Sequence, residues 1–306
     1  MMRSILSKVK LHSETGGRPP SAVELTPEGA LAAAIPAAGQ PPVYAFAPLP
    51  AGALIPGIGE PNVRMPEEVA GAIRSALDAV SARSRAVTLV LPDPAVRVFV
   101  LDFDTLPSKQ ADVLPVLRFR LRKMVPFDVE QTGLSYQVLF EDKEQCKVLA
   151  VVLPIAILEE YEAAVQAAGY EPGAVLPSSL ATLEAVESLE AMLIANLSGP
   201  ALTTTIANGN DLLLYRTLDL PEEPTLRLEE IQRGVAVAAA YYEDKLGARP
   251  YKLYFAGNGE AQEFARWLNE PELEVVDLVP QPEVGAATAL ADTSIAGVAG
   301  ALAGVR

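Results

Sequence analysis

Met192-Leu193-Ile194-Ala195-Asn196-Leu197, Leu202-Thr203-Thr204-Thr205-Ile206-Ala207 and Leu212-Leu213-Leu214-Tyr215-Arg216 are three short runs rich in strand-forming residues. Asn208-Gly209-Asn210-Asp211, between the second and third, has the composition of a hairpin turn. Together they read as a three-stranded meander. This meander decides the fold because it is the second in the chain. Residues 22–25, 30–35 and 43–46 make the first, with Thr26-Pro27-Glu28-Gly29 as the turn between its first two strands.

The same succession of elements follows each meander. After the first, Pro66 suits a first helical position, and Val69, Ile73, Leu77 and Val80 recur every three or four residues, predicting an amphipathic helix to about residue 84. A strand at 86–91 follows. After the second, a long helix carries Leu228, Ile231, Val235, Ala238, Tyr242 and Leu246. It leads to a strand at 251–255, a Gly257-Asn258-Gly259 turn, a helix to Trp267, a strand at 273–278 and a helix near 293–303. Meander, helix, strand, helix, strand, helix, read twice, is the duplicated signature of the actin-like plan, two ribonuclease H-like lobes of the layered α/β class. The duplication is inferred from element order.

The first copy is interrupted at 94–169 by an αβ insert. A strand at 96–101 precedes a helix with Asp112 as cap and Pro115 in its first turn. Leu114, Leu117, Leu121 and Met124 are expected on one face of that helix, Arg118, Arg120, Arg122 and Lys123 around the rest, and Pro126 at its end. Strands at 134–140 and 147–153 and a helix from Pro154 to a C-capping Gly169 complete the insert. A strand at 173–176 and a helix at 178–189 return to the first lobe. The expected division is a flexible arm at 1–20, a first lobe at 21–93 plus 170–190, the insert at 94–169 and a second lobe at 191–306.

Composition narrows the function. The chain has 306 residues, a formal charge of −15, 50% hydrophobic and 21% charged residues, which is a globular and not a disordered composition. The negative balance argues against nucleic acid as a partner. A lone Cys146 rules out an internal disulfide framework and a cysteine-based metal site, and a lone His12 a histidine triad. Lys8, Lys10, His12 and Glu14 interrupt the apolar start, and Pro154 breaks the longest apolar run, at 148–158. No membrane insertion is expected, and the reading is a cytoplasmic protein. Asp102 and Asp104 lie on one strand face with no nucleophile, base or metal beside them, and Glu222-Glu223 and Glu229-Glu230 read as solvated acids near a helix start. No catalytic residue and no metal ligand set is expected.

Leu117-Arg118-Phe119-Arg120-Leu121-Arg122-Lys123-Met124-Val125-Pro126-Phe127-Asp128-Val129-Glu130, followed by Leu134-Ser135-Tyr136-Gln137-Val138-Leu139, resembles the insert of the PilM family, the actin-like proteins of type IV pilus assembly. In that family a helix ends at a Val-Pro-Phe corner, and an acidic residue and a Leu-x-Tyr-x-Val strand follow. Residues 148–154, Tyr161, Ala168-Gly169-Tyr170 and 293–302 match the family's later elements. FtsA of cell division and the cytoplasmic part of the type II secretion L protein share the plan.

The resemblance implies a nucleotide cleft between two hairpins, and here the motifs depart from its pattern. The first reads Glu24-Leu25-Thr26-Pro27-Glu28-Gly29. Pro27 removes a backbone donor, and Glu28 would set a charge against the phosphates, a repulsion of order 4 kcal/mol at about 4 Å. The second, Asn196-Leu197-Ser198-Gly199-Pro200-Ala201, has asparagine for the metal-organising aspartate. Thr203, Thr204 and Thr205 fit a plain β-strand, and Gly257-Asn258-Gly259 a tight turn. Thr26, Asn196, Ser198, Gly199, Gly257, Asn258 and Gly259 are therefore the residues of a degenerate cofactor site. No cofactor is expected; ATP with Mg²⁺ is the ligand this cleft would take if any.

The resemblance also implies a partner, the cytoplasmic tail of a PilN-like inner-membrane protein, bound in a groove between the first lobe and the insert. Arg118, Phe119, Phe127 and Tyr136 are the candidates for it. Pilus-assembly ATPases are further candidate partners. The expected function is a non-catalytic adaptor at the inner face of the inner membrane, held there by its partner. The rival readings are an active actin-fold ATPase or small-molecule kinase, and an adaptor of type II secretion or of FtsA-like cell division.

Overall fold

A computed structural model describes residues 18–37, 39–186, 188–209, 211–280, 293–303 and 305. The arm at 1–20 thus lies outside the described residues except for Arg18, Pro19 and Pro20, as does Asn210 of the second hairpin.

The first lobe is a five-stranded sheet in the order β3-β2-β1-β4-β8. Its strands are β1 (Ser21–Thr26), β2 (Gly29–Ala34), β3 (Val43–Pro48), β4 (Ala86–Leu91) and β8 (Glu171–Pro177). β1 and β2 form a tight hairpin in register Thr26↔Gly29, and β4 and β8 lie parallel to β1 and β4. Alternation along β1 sets the layers. Val23 and Leu25 join α1 (Pro66–Ala79) and α3 (Ile155–Ala167) on one side, through Val69, Ile73, Leu77, Ile157, Tyr161 and Val165. Ala22 faces the other side, with Ala181 of α4 (Ser178–Leu183) and Val298 and Ala301 of α7 (Ala296–Ala303). Both faces are covered, which is why β1 and β2 are buried at every residue.

The second lobe repeats the order as β11-β10-β9-β12-β13, with β9 (Ala191–Ser198), β10 (Ala201–Asn208), β11 (Asp211–Asp219), β12 (Lys252–Gly257) and β13 (Glu274–Asp277). Leu193, Ala195, Leu202 and Phe255 pack under Ile231 and Val235 of α5 (Pro224–Leu246) and Phe264 of α6 (Ala261–Leu268). The two sheets are the same topology twice, antiparallel meander then parallel strands, so the fold is actin-like.

The insert is a three-stranded antiparallel sheet, β5-β7-β6, from β5 (Arg97–Phe103), β6 (Thr132–Glu141) and β7 (Cys146–Pro154). α2 (Gln110–Leu121) covers one face through Val113, Leu117 and Leu121, against Leu101, Val148 and Ala150. The helix begins three residues earlier than its sequence suggests, capped by Lys109 and not Asp112, so Pro115 lies inside it. Its buried stripe is Val113, Leu117 and Leu121, continued by Val125; Leu114 and Met124 are exposed. The other face of the sheet, through Leu149, Val151 and Leu153, joins the first-lobe core.

Two segments sit differently from the division drawn on sequence. α3, counted there with the insert at 94–169, packs on α1 and β8. It is the crossover helix of the β4-to-β8 parallel connection, and the insert proper splits that connection ahead of it. α7, counted with 191–306, packs on α4 and β1 of the first lobe. Its Gly300 permits this: a Cβ there would lie 1.8 Å from the Ala181 carbonyl oxygen. The helices starting at Pro66 and Ser178 are also shorter than their patterns suggest, ending at Ala79 and Leu183.

Candidate functional site

β1, β4, β9 and β12 all end at the seam between the lobes, the position where open α/β sheets place their functional groups. Glu24 on β1 and Asp93, two residues beyond β4, come from the first lobe, as do Ser178 and Ser179 at the start of α4. Asn196 on β9 and Thr203 on β10 come from the second. All six are buried.

They form one hydrogen-bonded network across the seam. Asp93 accepts from the Ser179 backbone N–H at 3.0 Å, from the Ser179 hydroxyl, from Thr203 Oγ1 at 2.8 Å and from Asn196 Nδ2 at 3.4 Å. Asn196 Nδ2 also donates to Ser179 Oγ at 2.8 Å and Ser178 Oγ at 3.3 Å. Ser178 Oγ donates to Glu24 Oε1 at 2.6 Å. The asparagine amide is thus a donor hub between hydroxyls and a carboxylate, a task an aspartate could not perform.

No cation balances the two carboxyls within this network. Burial pushes the Glu24 carboxyl up to about 7, against the Ser178 hydrogen bond and helped by nearby Asp93. Burial also raises Asp93, with its four donors pulling the other way. Glu24 Oε2 has no hydrogen-bond partner and lies where a Cβ on Gly297 of α7 would fall, 2.3 Å away.

The residues expected to form a degenerate cofactor site divide as follows. Thr26, Asn196, Ser198, Gly257 and Asn258 line one cavity, together with Glu24, Ser178, Thr182, Ser294 and Gly297. Its volume is about 20 Å³, room for a water molecule or two; small-molecule sites usually run to roughly 300 Å³ or more. Gly199 is at the tip of the second hairpin, so close to the first that an added Cβ would lie 3.3 Å from Pro27 Cγ. Arg227 of α5 holds the Gly199 carbonyl at 2.7 Å. Gly259 does not line the cavity. Thr26 Oγ1 is engaged inside its own hairpin, bonded to Gly29 N at 3.2 Å. Gly257 is small because β12 packs tightly on β9: a Cβ would sit 2.8 Å from Leu197 Cβ.

The acid at the seam is not the one expected from sequence. Glu28 is exposed at the hairpin tip, and Glu24 lines the cavity. Glu24 was hidden inside a run that reads as an apolar strand, and Asp93 inside a proline turn. Thr203, Thr204 and Thr205 are a β-strand, as the sequence suggests, but all three are buried and Thr203 anchors Asp93. A charged residue two or three positions from the end of a parallel strand was the available signal. Among the described residues no cluster of His, Cys, Asp and Glu is suited to a metal ion.

On the insert, Arg118 turns inward and secures the start of β6, bonding the Val129 carbonyl, Thr132 Oγ1 at 3.1 Å and the Thr132 carbonyl at 3.2 Å. Phe127 and Tyr136 pack half-buried on the α2 side of the insert sheet. Phe119 alone of the four points outward, 73% exposed. All four lie on the face away from the first lobe. At the start of β5, Arg97 pairs with Asp219 of β11 at 3.0 Å, tying insert to second lobe.

No family model and no curated protein sequence matches the chain. Solved structures do. The chain is similar to a structure described as the PilM-PilN type IV pilus biogenesis complex, with TM-score 0.68 and 19% identity over 95% of this chain and 98% of that one. It is also similar to the cytoplasmic domain of EpsL, an inner-membrane component of the type II secretion system of Vibrio cholerae, with TM-score 0.51 and 16% identity over 89% and 92%. Among the described residues no helix is long and apolar enough to cross a membrane. In fold, the chain is similar to the PilM-PilN complex structure and is built as twin actin-like lobes with an αβ insert in the first.

Proposed function

We propose that this protein is a non-catalytic, actin-like adaptor that binds the cytoplasmic tail of a PilN-like inner-membrane protein and works through protein contacts in a pilus or secretion assembly. The observation that carries the reading is the narrow seam. Where an actin-fold ATPase would hold a triphosphate, Pro27 meets Gly199 and about 20 Å³ remains. Glu24 and Asp93 lie there in a hydrogen-bonded network that includes no basic residue to hold phosphate. Asn196 is spent on hydroxyls and Asp93. The residues present do not fit Mg-ATP, so no step is routed through it.

The likeness to the PilM-PilN complex supports the choice of partner, and the likeness to EpsL supports a secretion assembly as the alternative setting. In either setting the protein works at the inner face of the inner membrane, held there by its partner. The net charge of −15 favours a basic tail. The natural groove for it is the junction of insert and first lobe, with Phe127, Tyr136 and Arg118 holding the insert's shape from behind. The test is calorimetric titration with Mg-ATP and, separately, with a synthetic PilN-type N-terminal tail. Tail binding without ATP binding is expected; micromolar ATP affinity with turnover would overturn the reading.

A further inference from the structure

Two of the three most exposed large apolar side chains among the described residues are neighbours. Leu189 is 76% exposed and Tyr251 67%. Leu189 stands two residues ahead of β9, and Tyr251 one ahead of β12. β9 and β12 run side by side in parallel, with Leu193 opposite Leu253. Tyr251 is therefore level with Ala191, one strand spacing across and two residues along from Leu189. Tyr242 borders them on the α5 side, half-buried, its hydroxyl donating to the Ala191 carbonyl at 3.3 Å. Apolar side chains exposed singly need no partner, but a leucine and two tyrosines together mark a contact surface. Exposed Glu190 lies beside them with no ion pair among the described residues.

The chain carries a segment that fits this surface. Residues 1–17 lie outside the described residues, and where the described chain begins Arg18 is half-buried beside the Glu184 carboxylate. Two residues on, the Pro20 carbonyl is held by the Ile35 N–H at 3.0 Å. The arm therefore leaves the first lobe next to the linker 184–190, which leads straight to the patch. From Glu184 to Leu189 the linker spans at most about 17 Å, and from Arg18 back to Leu11 the arm reaches about 24 Å when extended, so the distance is covered. In an extended chain Ile5, Val9 and Leu11 share one side, and Lys8 and Lys10 the other. Arg3, Lys8 and Lys10 against Glu14 make the arm cationic on a chain of net charge −15.

We infer that residues 5–11 of the chain's own amino-terminal arm dock on the patch formed by Leu189, Tyr251 and Tyr242, with a lysine of the arm set against Glu190. The covalent link makes the contact intramolecular, so a small patch suffices where a free peptide would bind weakly. The arm leaves one lobe and is held by the other, which makes it a strap across the linker. It also closes the patch to other proteins until the arm is displaced. A bilayer would take the same basic, apolar segment, but it accounts for neither the exposed leucine–tyrosine pair nor the unpaired carboxylate beside it. This inference goes beyond the adaptor reading and depends on neither ATP nor tail binding.

Limited trypsin digestion of the full chain, followed by intact-mass spectrometry, tests it. Cleavage after Lys8 and Lys10 requires the arm to leave the patch, so its rate reads the undocked fraction. The expected rate is about tenfold or more below that of a synthetic peptide of residues 1–20 under the same conditions, and independent of protein concentration. Leu189→Asp/Tyr251→Asp on the patch, and Val9→Asp/Leu11→Asp on the arm, each bring it up to the peptide rate, whereas Tyr251→Phe leaves it slow. Leu189 and Tyr251 are exposed, and unchanged circular-dichroism melts separate loss of contact from loss of fold. Four results would each overturn the proposal: cleavage of the wild type at the peptide rate, protection that survives the patch substitutions, protection that grows with protein concentration and so comes from a second copy, or protection that appears only with phosphatidylglycerol vesicles.

Discussion

Asn196→Asp restores the residue that an actin-fold ATPase carries at this position, and the structure says what it does instead. The new carboxylate would lie about 3.4 Å from Asp93 Oδ2, where the amide now donates. Two unit charges at that distance repel by about 5 kcal/mol at an effective dielectric near 20. The protein escapes part of this by keeping the new group protonated. For an ordinary aspartate that costs about 4 kcal/mol at pH 7. Destabilisation of about 4 kcal/mol at pH 7 is therefore expected, shrinking as the pH falls towards 4, because protonation then comes free. Urea unfolding at several pH values reads this directly, and a coupled phosphate-release assay reads turnover. A variant within 1 kcal/mol of the parent at pH 7, or one that gains Mg-ATP hydrolysis, would refute the account of the seam.

Three further outcomes follow from the same geometry. Glu24 titrates near 7 in the folded protein against about 4.3 unfolded, so the native state holds the extra proton in between. Stability from this group is complete below about 4.3 and declines as the pH rises to about 7, by on the order of 3 kcal/mol; Glu24→Gln should flatten that part of a stability-against-pH curve. Gly300→Ala drives a methyl into the Ala181 carbonyl and should cost about 1–3 kcal/mol or more in thermal unfolding, whereas Gly71→Ala on α1, where nothing lies near, should be neutral or stabilising. Arg118→Ala leaves Val129 and Thr132 oxygens short of a donor and should lower stability by about 1–3 kcal/mol, while Phe119→Ala should stay within about 0.5 kcal/mol.

The repeated order of elements was legible because apolar period changes from two to about three and a half at each strand-to-helix boundary, and Pro66 and Gly169 mark ends independently of packing. The register of α2 was less legible: Leu114 and Met124 look as apolar as Val113 and Val125, and only the sheet beneath selects between neighbouring stripes. The homes of α3 and α7 could not be read at all, since a buried face on a helix says that it packs and not on what. At the seam, Asn196, Ser198 and Gly257 were visible through their likeness to a known pattern. Asp93 and Glu24 were harder to single out: their place near the end of a parallel strand was the local sign, and the donors that sustain each carboxyl come from remote segments.

The placement of α7 bears on how the polypeptide comes to be made. Ile295, Val298, Ala301 and Leu302 complete the same apolar cluster as Ala22, Leu31 and Val90. During translation the first lobe therefore waits after α4, with one flank of its sheet uncovered, until roughly 120 more residues have been synthesised, a matter of about 6–24 s at ordinary ribosome speeds. That interval exposes the nascent protein to mispairing and to chaperones, and it makes the docking of α7 the step that closes the first lobe.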